Sequence, residues 1–214
     1  MNYISLMRFE VYALCVIVLL LLVKIFSEKL NVSVILGLIN FSLVAMLAAG
    51  FIGHPHGSAF GGMFANDGTL MLEKSIITLA TLLISLQAGN WLKDHDNYAE
   101  FYLLLFSVLT GMYFMLSSGN FLMFYLGLEM ATIPLAALAA FDFNRIRSAE
   151  GAVKMILSSA FSSAILLFGL SILYGVAGSL DFIAVREMYS SSVLEIFALT
   201  FILVGFAFKI SIVP

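Results

Sequence analysis

The chain of 214 residues is 62% hydrophobic and only 11% charged, with a mean hydropathy of +1.09. A soluble domain could not bury this much apolar surface, because soluble chains carry roughly a quarter charged residues. The formal net charge of −3 comes without a basic patch, which excludes nucleic-acid recognition, and the single Cys15 excludes a disulfide framework, a thiolate metal site and an iron–sulfur site.

Continuous apolar runs predict an all-α polytopic membrane protein, because the strands of a membrane β-barrel would alternate in polarity. A span needs about 20 apolar residues. The runs that qualify are 9–27, 31–53, 69–89, 97–117, 119–141, 150–177 and 192–214. The first is too long and apolar for a cleaved signal peptide. The last reaches the end of the sequence, so we expect the chain to be the front part of a longer protein.

The breaks between the runs differ in character. Residues 53–68 form a long Gly-rich loop, 117–120 a very short turn, 141–151 a charged break, and 178–192 a longer, partly amphipathic connection.

Lysine and arginine are distributed unevenly between the two ends of the runs, and this bias predicts orientation. One side carries Lys24, Lys29, Lys93, Arg145 and Arg147, whereas the other carries Arg8, Arg186 and, a little inside the third run, Lys74. The bias predicts that the N-terminus and the 53–68 loop lie outside and that the charged break at 141–151 lies inside.

Glu129, in "FYLGLEMATIPLAALAA", lies about ten residues into the fifth run, which is roughly mid-depth at about 1.5 Å per residue. A charge at the bilayer centre costs at least about 2.5–3.5 kcal/mol on insertion scales, so an ionisable residue at this depth indicates a functional site. Tyr125 and Thr132 share its helix face. The alternative is a neutral carboxyl that donates a hydrogen bond between helices.

Pro134 follows Glu129 by five residues, and Pro214 follows Lys209 by the same spacing. Because proline lacks an N–H group, each leaves the carbonyl four residues earlier unpaired, next to the charge. We therefore predict that both prolines break their helices beside a charge and admit water or another polar group. For Lys209 the alternative is snorkelling to the inner membrane surface.

Lys154 begins a stripe with Ser158 and Ser162 at steps of four residues, beside Ser159 and Ser163. Small hydroxyl residues allow helices to approach and to hydrogen-bond across the interface. The pattern favours a polar route within the membrane. Because Lys154 is only one turn inside its run, snorkelling is again the alternative.

The remaining charged and histidine residues give weaker indications. Glu73 and Lys74 are adjacent near the end of a run, and we interpret them as interfacial. His54, His56 and His95 all fall in predicted loops, so they predict neither a metal site nor an intramembrane haem.

The stretches "YLGLEMATIPLAALAA", "SAEGAVKMILSSAFSSAILLFGLSILYGVAGSLDF" and "LVGFAFKISIVP" resemble the antiporter-like membrane subunits of respiratory complex I, and most of all the subunit N branch of bacterial NADH-quinone oxidoreductase. The resemblance is good over residues 100–214 and loose before them. It implies a fourteen-helix fold with two inverted five-helix repeats, each containing a broken helix, after three preceding helices. The chain would hold those three helices in residues 1–96 and helices four to seven of an incomplete first repeat in residues 97–214.

The resemblance also implies roles for three charges. Glu129 matches the family's fifth-helix glutamate, Lys154 a sixth-helix lysine, and Lys209 the lysine of the broken seventh helix, all in proton translocation. It implies a non-redox subunit of a proton-translocating NADH:quinone oxidoreductase in the bacterial inner membrane, with other membrane subunits and the lipid bilayer as partners. Quinone, NADH, FMN and iron–sulfur clusters are then expected in other subunits, with no cofactor and no metal in this chain. The family's next segment, which carries a further lysine, lies beyond residue 214.

Two other functions remain open. One is a subunit of a cation/proton antiporter of the same fold, which would depend on sodium without NADH or quinone. The other is a structural scaffold, in which the three charges could be replaced by apolar residues without loss of function. A Glu129–Lys209 pair favours proton transfer, because burial disfavours both charges whereas pairing favours them, which gives the pair two accessible states.

Overall fold

The computed structural model describes residues 3–26, 32–53, 55–92, 97–142, 145–190 and 192–212. Its helices are α1 (Tyr3–Leu6), α2 (Arg8–Phe26), α3 (Val32–Gly50), α4 (Gly68–Leu92), α5 (Tyr98–Leu116), α6 (Phe121–Ala139), α7 (Ile146–Ala177), α8 (Phe182–Met188) and α9 (Val193–Lys209). A β-hairpin of β1 (Gly57–Ala59) and β2 (Phe64–Asn66) lies between α3 and α4.

The helices confirm the predicted fold class. Within the described residues, six helices, α2 to α7, are long and apolar enough to cross a membrane. The seventh predicted run contains α9, which has 17 residues. Large apolar side chains such as those of Leu72, Phe161 and Leu203 are exposed on these helices, as expected where the surrounding solvent is lipid. Helix α7 begins at Ile146, within the segment predicted as a charged break.

The Gly-rich segment 53–68 is not simply a loop, as the sequence suggested. Residues 57–59 pair antiparallel with residues 64–66, and Phe64 also bridges to Ser118 in the turn between α5 and α6. Gly61 and Gly62 have φ values of +67° and +95°, which a residue with a Cβ rarely adopts. The hairpin therefore lies over the ends of α4 and α5.

Local sequence signals explain where several helices begin and end. The Asn120 side chain accepts a hydrogen bond from the Met123 amide at the start of α6. Ser192 and Glu195 form a reciprocal capping box at the start of α9, which satisfies amides that the helix itself leaves unpaired. Gly178, in the left-handed conformation, ends α7.

Two helix pairs approach closely through glycine. A Cβ at Gly127 of α6 would lie 2.5 Å from the Met115 backbone nitrogen of α5, and one at Gly205 of α9 would lie 2.6 Å from the Leu166 Cβ of α7. Small residues at such crossings allow backbones to pack against each other within a membrane. Gly205 is one helical turn before Lys209, so this contact holds the lysine beside α7.

The apolar core of the described chain consists of two large clusters and a small one at the hairpin, formed by Leu6, Ala59 and Phe64. The first large cluster joins α2, α3, α4 and α5, and the second joins α7, α8 and α9. Helix α6 packs against both α5 and α7. It therefore positions its side chains at the junction of the two clusters.

Candidate functional site in the membrane

Glu129 and Lys209 form an ion pair between α6 and α9. The Lys209 Nζ atom lies 2.8 Å from Glu129 Oε1, and the two side chains are 6% and 21% exposed. Glu129 is the ninth of the 19 residues of α6, so the pair lies near the middle of that helix. Lys209 therefore points towards a partly buried carboxylate and not towards the membrane surface.

Two serine side chains of α7 complete this cluster. The Ser163 hydroxyl donates to Glu129 Oε1 over 2.5 Å, and Lys209 Nζ donates to the Ser159 hydroxyl over 3.3 Å. The Ser163 hydroxyl has one hydrogen, which it shares between Glu129 Oε1 and the backbone carbonyl of Ser159. Each serine hydroxyl therefore contacts one member of the charged pair.

The backbone beside the two charges differs between α6 and α9. The predicted break of α6 at Pro134 is not seen, because α6 continues through Pro134 to Ala139; the proline only removes the amide that would pair with the carbonyl of Met130. Helix α9 ends at Lys209, and Ser211 follows with a φ of +58°. Pro214 lies outside the described residues, so its predicted helix-breaking effect stays a prediction.

Lys154 is not part of this cluster in the described chain. Its Nζ atom lies 2.5 Å from Glu150 Oε1, with side chains 74% and 59% exposed. The hydroxyls of Ser158 and Ser162 bond to carbonyls of α7 itself. The charged pair is therefore contacted not by Ser158 and Ser162 but by the serines beside them, with Ser163 bonded to Glu129 and Ser159 to Lys209.

None of the other described residues that the sequence analysis named is hydrogen-bonded to the side chain of Glu129 or Lys209. Thr132 donates to the backbone carbonyl of Glu129 over 3.5 Å and not to its carboxylate. Tyr125 packs against the α7–α9 cluster. His56 is exposed, whereas His54 and His95 lie outside the described residues. Among the described residues, no three His, Cys, Asp or Glu side chains gather where they could hold a metal ion.

The interpretation of Lys74 as interfacial was wrong, because the structure buries it completely. Its Nζ atom lies 2.6 Å from Glu10 Oε1. Sequence reasoning missed this pair because each residue lies near a helix end, where charges commonly reach water. One feature of the sequence could have predicted the pair. The predicted topology puts the starts of α2 and α4 on the same side of the membrane, and each helix carries one of two opposite charges within its first two turns.

Comparisons with known proteins agree with the resemblance. Residues 118–214 match the family model described as NADH:quinone oxidoreductase/Mrp antiporter, TM. The chain is 48% identical over 158 residues to NADH-quinone oxidoreductase subunit N of Phocaeicola vulgatus, covering 72% of this chain and 34% of that protein. It is 36% identical over 214 residues to subunit N of Thioalkalivibrio sulfidiphilus, covering 96% and 44%. The chain thus spans between a third and a half of the length of these curated relatives.

Solved structures give the same fold. A chain of respiratory complex I from Thermus thermophilus with bound aureothin matches with a TM-score of 0.79 and 26% identity, covering 96% of this chain and 44% of that chain. A chain of an archaeal membrane-bound sulfane sulfur reductase matches with a TM-score of 0.74 at 16% identity, with the same coverage, and this second likeness shows the fold alone. These matches confirm the membrane fold and the resemblance drawn from the sequence.

Proposed function

We propose that this chain, which belongs to the antiporter-like membrane subunits of NADH:quinone oxidoreductase, moves protons across the membrane through Glu129 and Lys209. The observation that carries the proposal is the ion pair near the middle of α6, in which Lys209 Nζ lies 2.8 Å from Glu129 Oε1. Its relatives named subunit N support placing the chain in an oxidoreductase complex, with other complex subunits as partners. We place the chain in the bacterial inner membrane with its N-terminus outside.

The chemistry of this pair is electrostatic. Burial disfavours an isolated charge, whereas an opposite charge within hydrogen-bonding distance stabilises it. While Glu129 is a carboxylate, Lys209 holds its proton firmly. When Glu129 is neutralised or drawn away, the Lys209 ammonium loses its counter-charge and can release a proton. The pair therefore alternates between holding and releasing a proton.

The serines of α7 give the released proton a path. Ser159 accepts from Lys209, and Ser163 donates to Glu129. Each hydroxyl can receive one proton and pass on another. Lys154 precedes these serines in α7 and lies nearer the inner end of the helix. In the proposal, it exchanges protons with the same route. The break after α9 and Pro134 in α6 would admit water beside the pair.

The proposal assigns the redox steps to other subunits. NADH oxidation, FMN, the iron–sulfur clusters and quinone reduction would be located there, and this chain would respond to them through changes in charge. The division of the chain into three leading helices (1–96) and an incomplete repeat (97–214) belongs to the same proposal.

A second candidate is a subunit of a cation/proton antiporter. The matching family model covers both NADH:quinone oxidoreductases and Mrp antiporters, so the family match favours neither. Transport that requires sodium and proceeds without NADH or quinone would indicate the antiporter.

The test is proton pumping by the assembled complex that contains the full-length subunit, reconstituted in proteoliposomes. Glu129→Gln should strongly reduce the protons pumped per NADH oxidised, because a neutral amide cannot draw the ammonium. The exposed ion pair between Lys24 and Glu100, at 2.7 Å, offers a matched control, and Glu100→Gln should pump normally. Normal pumping by an assembled Glu129→Gln complex would rule out the proposed role.

A further inference from the structure

Glu10 and Lys74 form an ion pair that the proposed function does not use. Neither side chain is exposed at all, and Lys74 Nζ lies 2.6 Å from Glu10 Oε1. Glu10 is the third residue of α2, and Lys74 is the seventh of α4. The pair therefore lies near the helix ends that the hairpin covers, and it is more completely enclosed than the Glu129–Lys209 pair.

Both partners retain unused hydrogen-bonding capacity. Glu10 Oε2 is buried without a hydrogen-bond partner among the described residues. The Lys74 ammonium, with three N–H donors, has the Glu10 contact and lies 5.2 Å from the centre of the Phe64 ring. A buried polar atom without a hydrogen-bond partner is destabilising. Such atoms commonly bind internal water. The site therefore resembles a hydrated ion pair more than a structural ion pair whose hydrogen-bonding groups are all paired.

Hydroxyl groups lead away from the pair in two directions. Ser117 donates to Glu10 Oε1 over 3.3 Å, and its carbonyl accepts from the Ala65 amide of the hairpin over 2.8 Å. On the other side, Thr78 lies one turn after Lys74, and its hydroxyl is 2.6 Å from the Tyr113 hydroxyl. Thr78, Tyr113 and Ser117 are all fully buried.

We propose that Glu10 and Lys74 form a second proton-exchange site, with Ser117 on the side of the hairpin and the Thr78–Tyr113 hydroxyls linking α4 to α5 on the other side. The inference rests on the proposed function only in that the chain moves protons, since it concerns a different pair on different helices. Water bound at the unsatisfied Glu10 oxygen would connect the pair to these hydroxyls.

The proton step is balanced within the pair. Lys74 Nζ gives one proton to Glu10, which breaks an N–H bond, forms an O–H bond and leaves a neutral amine beside a neutral carboxylic acid. Burial favours this neutral state relative to separated charges. The acid then gives a proton towards Ser117, and the amine takes one from the Thr78 side. One proton has moved, and the ion pair is restored.

Lys74→Arg separates this role from a purely structural one. Arginine keeps the charge and the ion pair but is not deprotonated in proteins. A structural pair predicts normal pumping by the assembled complex with the full-length subunit. A proton-exchange site predicts a severalfold loss of protons pumped per NADH oxidised, while Lys24→Met/Glu100→Gln, which removes the exposed pair, pumps normally. The uncharged combination Glu10→Gln/Lys74→Met should assemble and show the same loss.

A spectroscopic measurement does not depend on pumping. Infrared difference spectra between the oxidised and NADH-reduced complex should contain a protonated-carboxyl band that shifts in D₂O. Glu129 also becomes neutral under the proposed function, so the two carboxyls contribute separate components of this band. The second site predicts one component that is lost in Glu10→Gln and kept in Glu129→Gln. An unchanged band in Glu10→Gln, or normal pumping by assembled Lys74→Arg, would overturn the inference.

Tyr113→Phe provides a test even if the charge variants fail to assemble, because it removes one oxygen. It should slow pumping, and wild-type pumping would overturn the inference. The outcomes also separate the two proposals. Loss in Glu129→Gln with normal pumping in Lys74→Arg contradicts only the second site, and the reverse pattern contradicts only the role of Glu129.

Discussion

Glu129 is held by two donors that contribute in different ways. The Lys209 ammonium supplies the opposite charge, and the Ser163 hydroxyl supplies a neutral hydrogen bond to the same carboxylate oxygen. A hydrogen bond to a charged group contributes about 1.5–3 kcal/mol. Ser163 should therefore set how readily the carboxylate leaves Lys209, without being a source of charge itself.

Ser163→Ala tests this contribution. The change leaves the ion pair but removes one donor from Glu129, so pumping should fall moderately and less than in Glu129→Gln. The measurement is protons pumped per NADH oxidised by the assembled complex. Ser162→Ala is the matched control, because Ser162 is buried and bonds to the carbonyl of Ser159 in its own helix. Equal effects of the two alanine variants would contradict the role of Ser163.

The role of Lys154 in proton transfer stays a prediction. If it belongs to the proton route, Lys154→Ala should slow pumping, and Lys154→Arg should preserve part of it by keeping the charge. Both are measured at equal amounts of assembled complex. Full activity of Lys154→Ala would favour the simple interpretation, in which Lys154 snorkels and pairs with Glu150.

Sequence reasoning singled out some charged residues and missed others for a physical reason. Glu129 and Lys209 were recognisable because each lies deep in an apolar run with a proline five residues later. Glu10 and Lys74 lie near helix ends, where a charge ordinarily reaches water. Only the packing of α2 against its neighbours and the hairpin above them bury that pair, and neither is encoded in a local pattern.

At the scale of elements, the contact between α7 and α9 fixes the position of Lys209. The backbones meet at Gly205, where a Cβ would lie 2.6 Å from the Leu166 Cβ. Any side chain there must push α9 away from α7 and carry Lys209 with it. The geometry of the charged pair thus depends on a residue that carries no charge.

Gly205→Ala should destabilise this contact and weaken pumping together. Overpacking typically costs about 1–3 kcal/mol, so the complex should lose activity at a lower temperature than the wild type in detergent. Gly175→Ala is the matched control, since a Cβ at that position of α7 meets nothing within 4 Å. An unchanged inactivation temperature in Gly205→Ala would contradict the tight α7–α9 contact.

The sequence predicted the long helices well because each corresponds to a long apolar run. Runs of about 20 apolar residues leave little choice but a helix, and the helices follow them closely. The strands of the hairpin have three residues each, too few to show an alternating pattern. The contacts of the hairpin with Ser117 and Ser118 after α5 are distant in sequence, so the Gly-rich composition alone predicted a loop.

At the scale of the whole molecule, the hairpin, the α5–α6 turn and the residues after α7 lie at one end. Phe64 bridges to Ser118, and Asn120 bridges to Asp181. Charged residues next to the start of α7, such as Arg145, follow the opposite end of α6. The lysine and arginine bias predicts that the hairpin end is outside.

Cysteine labelling of the intact outer face tests this orientation in a Cys15→Ser background. Ser58→Cys, at an exposed position of β1, should react with a membrane-impermeant reagent. Ala149→Cys, at an exposed position near the start of α7, should react only after the membrane is permeabilised. The reverse labelling pattern would place the N-terminus inside.

A double-mutant cycle of Glu129→Gln and Lys209→Met tests whether the two residues move protons as one unit. Each single variant should strongly reduce protons pumped per NADH oxidised, because one partner of a buried pair is left uncompensated, at a typical cost of about 3–5 kcal/mol. If the two residues act as one unit, the double variant should pump little worse than either single variant. The cycle should then show strong coupling, as expected for residues in contact. Independent losses that combine fully in the double variant, with coupling near zero at equal assembly, would contradict the account.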